Sequence, residues 1–495
     1  MTEFELKLEI PADRLTAVTA EVREGQALRQ RLQARYFDTE DGLLARARIV
    51  VRLRKEGRQW VQTAKAPGKA ALERLEHNLV LKAPAAGAAP AFDLARHAGT
   101  PVGDAIQKAL KLKSGDRLPP LVPLYETDVQ RITRIVTHGD TAVELALDQG
   151  RVVSGTYSQP LCELELELKQ GSADDALQLA RDWCARHGLW LSVVSKSMKG
   201  QRLAARRSFG PAVGAEAPEI RRNADGREIA AAAVRSCLDQ ILANASDVAG
   251  GSQEADHIHQ LRVGIRRMRT ATRELAMLAE GIDPAWETAL VDVFRALGQH
   301  RDHSHLAHSQ QPQIEGAGGP AIEVEHSASA LLDPGSAVRS PAFQDALLGL
   351  LGFVHAGASA PAGPDPDQAR KMVRARLQKL YSQALKDGKK FLVLEEEQQH
   401  SVRKRLKRLR YLSEFVAPLF SPRKTVAFTT ALKLPQEALG LYNDELMALQ
   451  AYRELALTDP RAWFGVGWLS ARRNPNAAVC QQALKEFSKI KPFWN

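Results

Sequence analysis

Apolar and polar residues alternate from the start of the chain, where Phe4, Leu6 and Leu8 interleave with Glu3, Glu5, Lys7 and Glu9. A period of two puts one set on each side of a strand, so one side is apolar and the other carries a row of charge. Similar alternation near 46–55, 59–65, 73–81, 125–136, 142–148 and 161–169 predicts further strands. Helices interrupt them at ADRLTAVTAEVRE, at a weaker stretch around 102–112, and at ADDALQLARDWCARHG. Around 206–226 prolines, glycines and mixed charge end the periodicity, as in a linker. Beyond it, apolar residues recur at three- and four-residue spacing in Ala-, Leu- and Arg-rich segments, which predicts helices. The pattern therefore predicts a strand-rich α+β domain at 1–205, a linker at 206–226 and an all-α domain at 227–495. Within the last, SQQPQIEGAGGPAIEVEHSASALLDPGSAVRSP and HAGASAPAGPDPD lack periodicity and are expected to be mobile loops.

Side-chain parity gives the charged faces a common theme. Arg46, Arg48, Arg52 and Arg54 share one face of RARIVVRLR, and Arg74 and Glu76 share one of ERLEH. Glu144 and Asp148 share a face, as do Glu163, Glu165 and Glu167. Seven strands with charge of both signs on one side and Leu, Val or Ile on the other predict a closed barrel, its apolar side under helices and its charged side lining a channel. Charges in such a channel are partly desolvated. Two unit charges about 4 Å apart then interact by about 4 kcal/mol at an effective dielectric of 20, against about 1 kcal/mol in water. Facing carboxylates need cations and grouped arginines need anions. Glu3, Glu5, Glu165 and Glu167 would form a hard all-oxygen site suited to Mg²⁺ or Mn²⁺. Lys7, Arg52, Arg54, Lys65, Arg131 and Lys196 would cradle phosphoryl oxygens. Together they imply a metal-bound polyphosphate as ligand.

Composition is consistent with this. In 495 residues, 44% apolar and 25% charged, two or three soluble domains are expected, and a formal charge of +10 with a pI near 9.4 favours an anionic partner. Cys162, Cys184, Cys237 and Cys480 show neither CxxC pairing nor metal-type spacing, which fits a reducing compartment. No run of about 18 apolar residues occurs and no basic-then-apolar leader precedes the first strand. A cytoplasmic protein with no membrane partner is expected.

Glu3-x-Glu5-x-Lys7 is the ExExK signature of the CYTH superfamily, the triphosphate tunnel metalloenzymes, and YFDTEDGLLARARIVVRLR resembles the strand-turn-strand that follows it. The resemblance continues through the Lys65 strand, Arg74-x-Glu76, Glu144-x-x-x-Asp148, Glu163-x-Glu165-x-Glu167 and SKSMKG, over roughly residues 1–202. It implies an eight-stranded antiparallel tunnel that hydrolyses or cyclises triphosphates with a divalent metal. The candidate catalytic residues are Glu3, Glu5, Lys7, Glu165 and Glu167, and the candidate metal ligands are Glu3, Glu5, Asp148, Glu165 and Glu167. Lys7, Arg52, Arg54, Lys65, Arg74, Arg131 and Lys196 are the candidate substrate ligands. Phosphoryl transfer needs positioning and charge neutralisation rather than a covalent nucleophile, and no Walker loop or Ser/His/Asp spacing is present. Aromatic residues make up only 6% of the chain, with no cluster to hold a base or thiazole, which favours inorganic triphosphate over thiamine or nucleoside triphosphates.

The helical half repeats itself. HQLRVGIRRMR from His259 and HSVRKRLKRLR from His400 share H-x-x-R-x-x-x-[RK]-R-x-R, while LGQHRD starts at Leu297 and LGLYND at Leu439. The two pairs are 141 and 142 residues apart, which argues for duplicated helical halves. His259, Arg262, Arg266 and Arg269 fall within a helical stripe roughly 80° wide, and His400, Arg403, Lys407 and Arg410 repeat it. This pattern, over roughly 227–490, resembles the CHAD domain, which is associated with binding inorganic polyphosphate. With only Tyr411 beside the basic stripes, base stacking is not supported, and polyphosphate is preferred to nucleic acid. His300, His303, His305 and His308 lie close together, but their spacing leaves no more than two well placed on one helical face, so no metal site is assigned. The expected activity is hydrolysis of inorganic triphosphate, with polyphosphate bound by the helical half and association with polyphosphate granules. The contrasting reading is a non-catalytic polyphosphate-anchoring protein.

Overall fold

The alternation of Leu6 and Leu8 with Glu5, Lys7 and Glu9 is realised as a strand whose two leucines are fully buried. The computed structural model describes residues 4–68, 74–82, 89–113, 116–322, 333–356 and 360–495, without the side chains of 74, 299–305, 307 and 308. Its strands are β1 Glu5–Glu9, β2 Leu28–Asp38, β3 Val50–Glu56, β4 Gln59–Pro67, β5 Arg74–Leu81, β6 Val122–His138, β7 Thr141–Ser154, β8 Tyr157–Gln170 and β9 Trp190–Leu191. The α-helices are α1 Leu15–Val22, α2 Leu43–Arg46, α3 Pro101–Ala109, α4 Ala173–His187, α5 Lys196–Ala204, α6 Gly226–Ala249, α7 Ala255–Glu274, α8 Ala285–His305, α9 Gln311–Gly316, α10 Pro334–Val338, α11 Pro341–His355, α12 Pro366–Gly388, α13 Glu396–Val416, α14 Pro422–Ala431, α15 Lys433–Leu455 and α16 Trp463–Phe487. None of the described helices is long and apolar enough to cross a membrane.

Two compact units result. The first comprises Met1–Ala212 with Leu242–Ser252 and Val338–His355, and the second comprises the remainder. In the first, one antiparallel sheet runs β5-β4-β3-β2-β6-β7-β8-β1-β9. It has the long strands of the expected tunnel plus the two-residue β9. On the outer face, Leu145, Leu147, Leu164 and Leu166 are wholly buried on β7 and β8, which α4 covers. Helix α3 covers β4 through Val102 and Ile106 against Val51, Ala64 and Ala66.

The edge strand β9 would present unpaired N–H groups to other chains, a hazard that natural sheets suppress. Here segments from the helical half of the sequence do so. Gln344 of α11 accepts from the Leu191 N–H at 2.8 Å, Ser246 of α6 accepts from the Val193 N–H at 3.0 Å, and Asp247 grips Arg202 of α5 at 2.6 Å. That work explains why 242–252 and 338–355 cluster with the sheet although they follow residue 227.

Three local expectations change. Only the Tyr36–Asp38 end of β2 was anticipated; in the earlier part Arg31 and Arg35 face outward and pair with Asp128 and Glu126 of β6. Arg46 and Arg48 do not share the Arg52/Arg54 face. The Asp38 carboxylate accepts from the N–H groups of Leu44 and Ala45 at 2.9 Å, which winds 43–46 into a helical turn, and Arg48 adopts φ 57°. The long segment expected to be loop contains α9 and α10, while 323–332 and 357–359 lie outside the described residues.

The second unit is helical, and its two halves match. Helices α7 and α13 carry the His/Arg stripes, and they pack on α8 and α15, which carry LGQHRD and LGLYND. Arg267, 1% exposed, donates to Gln240 and to the Glu216 backbone carbonyl, lies 5.2 Å from the Phe415 ring centre, and thereby fastens part of the expected linker.

In the first unit, a Cβ at Gly200 of α5 would come 2.1 Å from the Tyr125 ring, which stacks on Tyr36 at 4.6 Å. Gly200→Ala should therefore cost about 1–3 kcal/mol by overpacking. The check is a lowered urea midpoint with unchanged slope.

Candidate functional sites

Inward-facing residues of the first eight strands converge on one cavity of about 430 Å³. Glu5 and Lys7 reach it from β1, Arg52 and Arg54 from β3, Lys65 from β4 and Glu76 from β5. Arg131 comes from β6, Glu144 and Asp148 from β7, Glu165, Glu167 and Lys169 from β8, and Lys196 from the first turn of α5. Residues from both ends of the sheet thus share one bore, as parity predicted. Glu3 lies outside the described residues, and only the backbone of Arg74 is described, on β5 opposite Pro67.

The charges fall into three groups. At the inner end, carboxylate oxygens of Asp148, Glu163 and Glu165 come within 4.8 Å of one another. Lys196 Nζ sits among them at 2.7, 2.5 and 2.6 Å, and Arg131 binds Asp148 at 2.6 Å and Glu165 at 2.5 Å. Burial alone would raise the Glu163 and Glu165 carboxyls, but Lys196 and its neighbours hold Glu163 down to about 2 and Glu165 well below the ordinary range. This trio already has its cations. The Lys7 ammonium donates to the Val194 carbonyl at 2.9 Å and its charge also helps hold Glu163 and Glu165 down.

Along β1, β8 and β7 a second set of carboxylates forms a cross-strand row, Glu5 opposite Glu167 opposite Glu144. Among the described residues Glu5 makes no ion pair or side-chain hydrogen bond. The facing Glu165 carboxylate, and then burial, push Glu5 up to about 7 against the pull of Lys7, Lys196 and Lys65. On the opposite wall the imbalance is reversed. Burial and the neighbouring Arg52 lower Arg54 to about 10 although Glu56 is bonded to it, and the Arg52 Nε is buried without a hydrogen-bond partner. Lys65 pairs with Glu76, which burial would raise but Lys65 and Asn78 hold at about 2.

The second unit holds a groove of about 740 Å³ lined by Arg262, Arg266, Arg269, His400, Arg403 and Lys407 from the two stripes. Arg273, Lys404 and Arg408 join them, whereas His259 and Arg410 are not among its lining residues. Arg410 bonds Glu414 at 2.7 Å instead. Arg262 lies 4.4 Å from the Phe294 ring centre and donates to the Phe294 carbonyl at 3.1 Å; it fits because Gly298, where a Cβ would come 2.4 Å from its Nη1, has none. In the other half, His400 Nδ1 lies 3.0 Å from the side-chain Oδ1 of Asn443, and burial and Lys404 lower its pKa. The side chains of His300, His303, His305 and His308 are outside those described.

The CYTH domain profile matches residues 1–200 and the CHAD domain profile residues 232–453. The chain carries a CYTH domain followed by a CHAD domain. A curated relative, an inorganic triphosphatase of Haemophilus influenzae, is 28% identical over 176 residues, which is 34% of this chain and 45% of that protein. The chain therefore matches about half the length of that relative. Among solved structures, the CHAD domain of Ricinus communis is 25% identical with a TM-score of 0.47, over 56% of this chain and 96% of that one. A candidate adenylyl cyclase from Hippeastrum with a dominant triphosphatase activity is 13% identical with a TM-score of 0.29, over 42% of this chain and 98% of that one.

A divalent cation suits the CYTH tunnel at one place more than another. The Asp148, Glu163 and Glu165 trio would have to expel Lys196, whereas Glu5, opposite Glu167 on β8, makes no ion pair among the described residues and offers hard oxygen donors suited to a divalent cation. Sequence reasoning did not assign roles to Glu163, Glu76 or Lys169, although all three share the inward parity of residues that it did assign.

Glu5 makes the cation-free CYTH domain sensitive to pH. Its folded pKa is raised from 4.5 to about 7, so between those values the unfolded chain releases its proton first and stability falls as pH rises. Above about pH 7 the penalty is on the order of 3 kcal/mol. Glu5→Gln should stabilise the cation-free protein by that order at pH 8 and by much less near pH 5, as read from urea midpoints at the two pH values.

Proposed function

We propose that the CYTH domain hydrolyses inorganic triphosphate to diphosphate and phosphate with Mg²⁺ or Mn²⁺, and that the CHAD groove binds inorganic polyphosphate. The observation that carries the first part is the division of one bore into a wall short of positive charge, at Glu5, and a wall short of negative charge, at Arg54 beside the buried Arg52. A metal-bound triphosphate supplies both.

In this reading Arg52, Arg54, Lys65 and Arg131 orient the phosphoryl oxygens, with guanidinium forks matching them in pairs. Glu5 and Glu167 hold the cation, with Glu3 two residues before Glu5 as a further ligand and Glu165, whose two oxygens are paired with Lys196 and Arg131, beside them. The bound cation supplies neutralisation of charge developing on the phosphoryl oxygens. Lys7 and Lys196 keep the inner carboxylates ionised, and a tunnel carboxylate orients the attacking water. Tyr36 is the sole aromatic residue among the described lining residues and its ring is stacked on Tyr125, which favours inorganic triphosphate over a substrate with a base or thiazole. The Haemophilus influenzae relative supports the same choice. The protein would act in the cytoplasm, with the groove anchoring it to polyphosphate granules.

Purified protein given tripolyphosphate, thiamine triphosphate or ATP should release phosphate fastest from tripolyphosphate, and only with divalent metal. Glu5→Gln should lower that rate by about 10²-fold or more with an unchanged circular dichroism spectrum. Full activity in this variant, or in the presence of chelator, would remove the proposal and favour capture of polyphosphate without turnover.

For the groove, affinity for polyphosphate should fall by about 10²-fold or more between about 50 and 200 mM salt. Replacing Arg403 and Lys407 with Gln should weaken binding and flatten that dependence. Salt-independent binding, or preference for RNA over polyphosphate, would count against it.

A further inference from the structure

Lys169 ends the inward-facing row of β8, two residues beyond Glu167 and on the same face. Its Nζ lies 2.7 Å from Glu167 and 3.4 Å from Glu144, so it bridges two of the three carboxylates in the row that Glu5 begins. Two kinds of internal cation therefore serve the tunnel. Lys196 is 12% exposed and locked among three acids, so removing it would leave buried charge uncompensated. Lys169 is 39% exposed and on a flexible four-carbon stem, with water to receive its ammonium if it lets go.

We propose that Lys169 is a displaceable counter-ion which holds Glu167 when no divalent cation is bound and must release it when one enters. This rests on the reading that Glu5 and Glu167 hold the catalytic metal. An ammonium 2.7 Å from one of those ligands competes for the same oxygen and repels an incoming dication across a partly desolvated bore. Lys169 thus weakens capture of bare metal and biases the tunnel toward metal that arrives with triphosphate, whose negative charge offsets the repulsion. Once displaced, the ammonium remains at the cavity and can donate to a phosphoryl oxygen.

The test is calorimetric titration of Mn²⁺, without substrate, into the wild-type protein, Lys169→Met, Lys169→Arg and Glu5→Gln. Lys169→Met should bind about tenfold more tightly than wild type, Lys169→Arg should stay near wild type because it keeps the charge, and Glu5→Gln should lose the site. With tripolyphosphate bound, the gap between Lys169→Met and wild type should narrow. Equal affinity in Lys169→Met and wild type, with the site lost in Glu5→Gln, overturns the role of Lys169 and leaves the metal site standing. Undiminished Mn²⁺ binding in Glu5→Gln, or no Mn²⁺ binding in any of the four, overturns the metal reading and this inference with it.

Discussion

Lys196, inserted at the start of α5 among Asp148, Glu163 and Glu165, is the contact on which the tunnel depends. Three carboxylates that close could not all remain ionised in a partly dry bore without it and Arg131. This cluster satisfies the inner acids, whereas Glu5 on the neighbouring β1 makes no ion pair among the described residues. Such unequal neutralisation costs stability, as functional sites commonly do, and it gives the cavity a direction, cation-seeking on one wall and anion-seeking on the other.

The sheet can carry this strain because its margins are closed off. Leucines on the outer faces of β7 and β8 are fully buried, and the short edge strand β9 is bonded by Gln344 and Ser246. Those two side chains lie far along the sequence from the strand they protect. The α5 helix is held in turn by Asp247 on Arg202 and by the close fit of Gly200 to Tyr125, so Lys196 has little freedom to leave its acids.

In the CHAD domain the two stripes sit on a shared helical scaffold. One half seats Arg262 on a phenyl ring beside a glycine, which fixes the guanidinium. The other half uses polar neighbours, with Asn443 on His400 and Asp444 4.0 Å from Arg403. The duplication legible at 141- and 142-residue spacing is thus realised as a repeated helix packing.

Much of the architecture was readable because parity along a strand is a local property. The alternation in β1, β6, β7 and β8 says which side chains share a face whatever the fold, and ExExK with the motifs after it placed those faces around one tunnel. The first part of β2, before Tyr36, was hidden for a physical reason. Its arginines face outward toward Asp128 and Glu126, acids that come 97 and 91 residues later. Arg46 and Arg48 misled because Asp38 binds nearby N–H groups and bends the chain, a competition that period-two reading does not see. Sequence alone determined the charged inner faces, the duplicated helices and the pool of candidate residues. Which acid is neutralised, which one is left wanting a cation, and which lysine can let go were decided only by the tertiary structure. Ion pairing depends on distances of a few ångströms between strands, and those distances exist only once the sheet has curled.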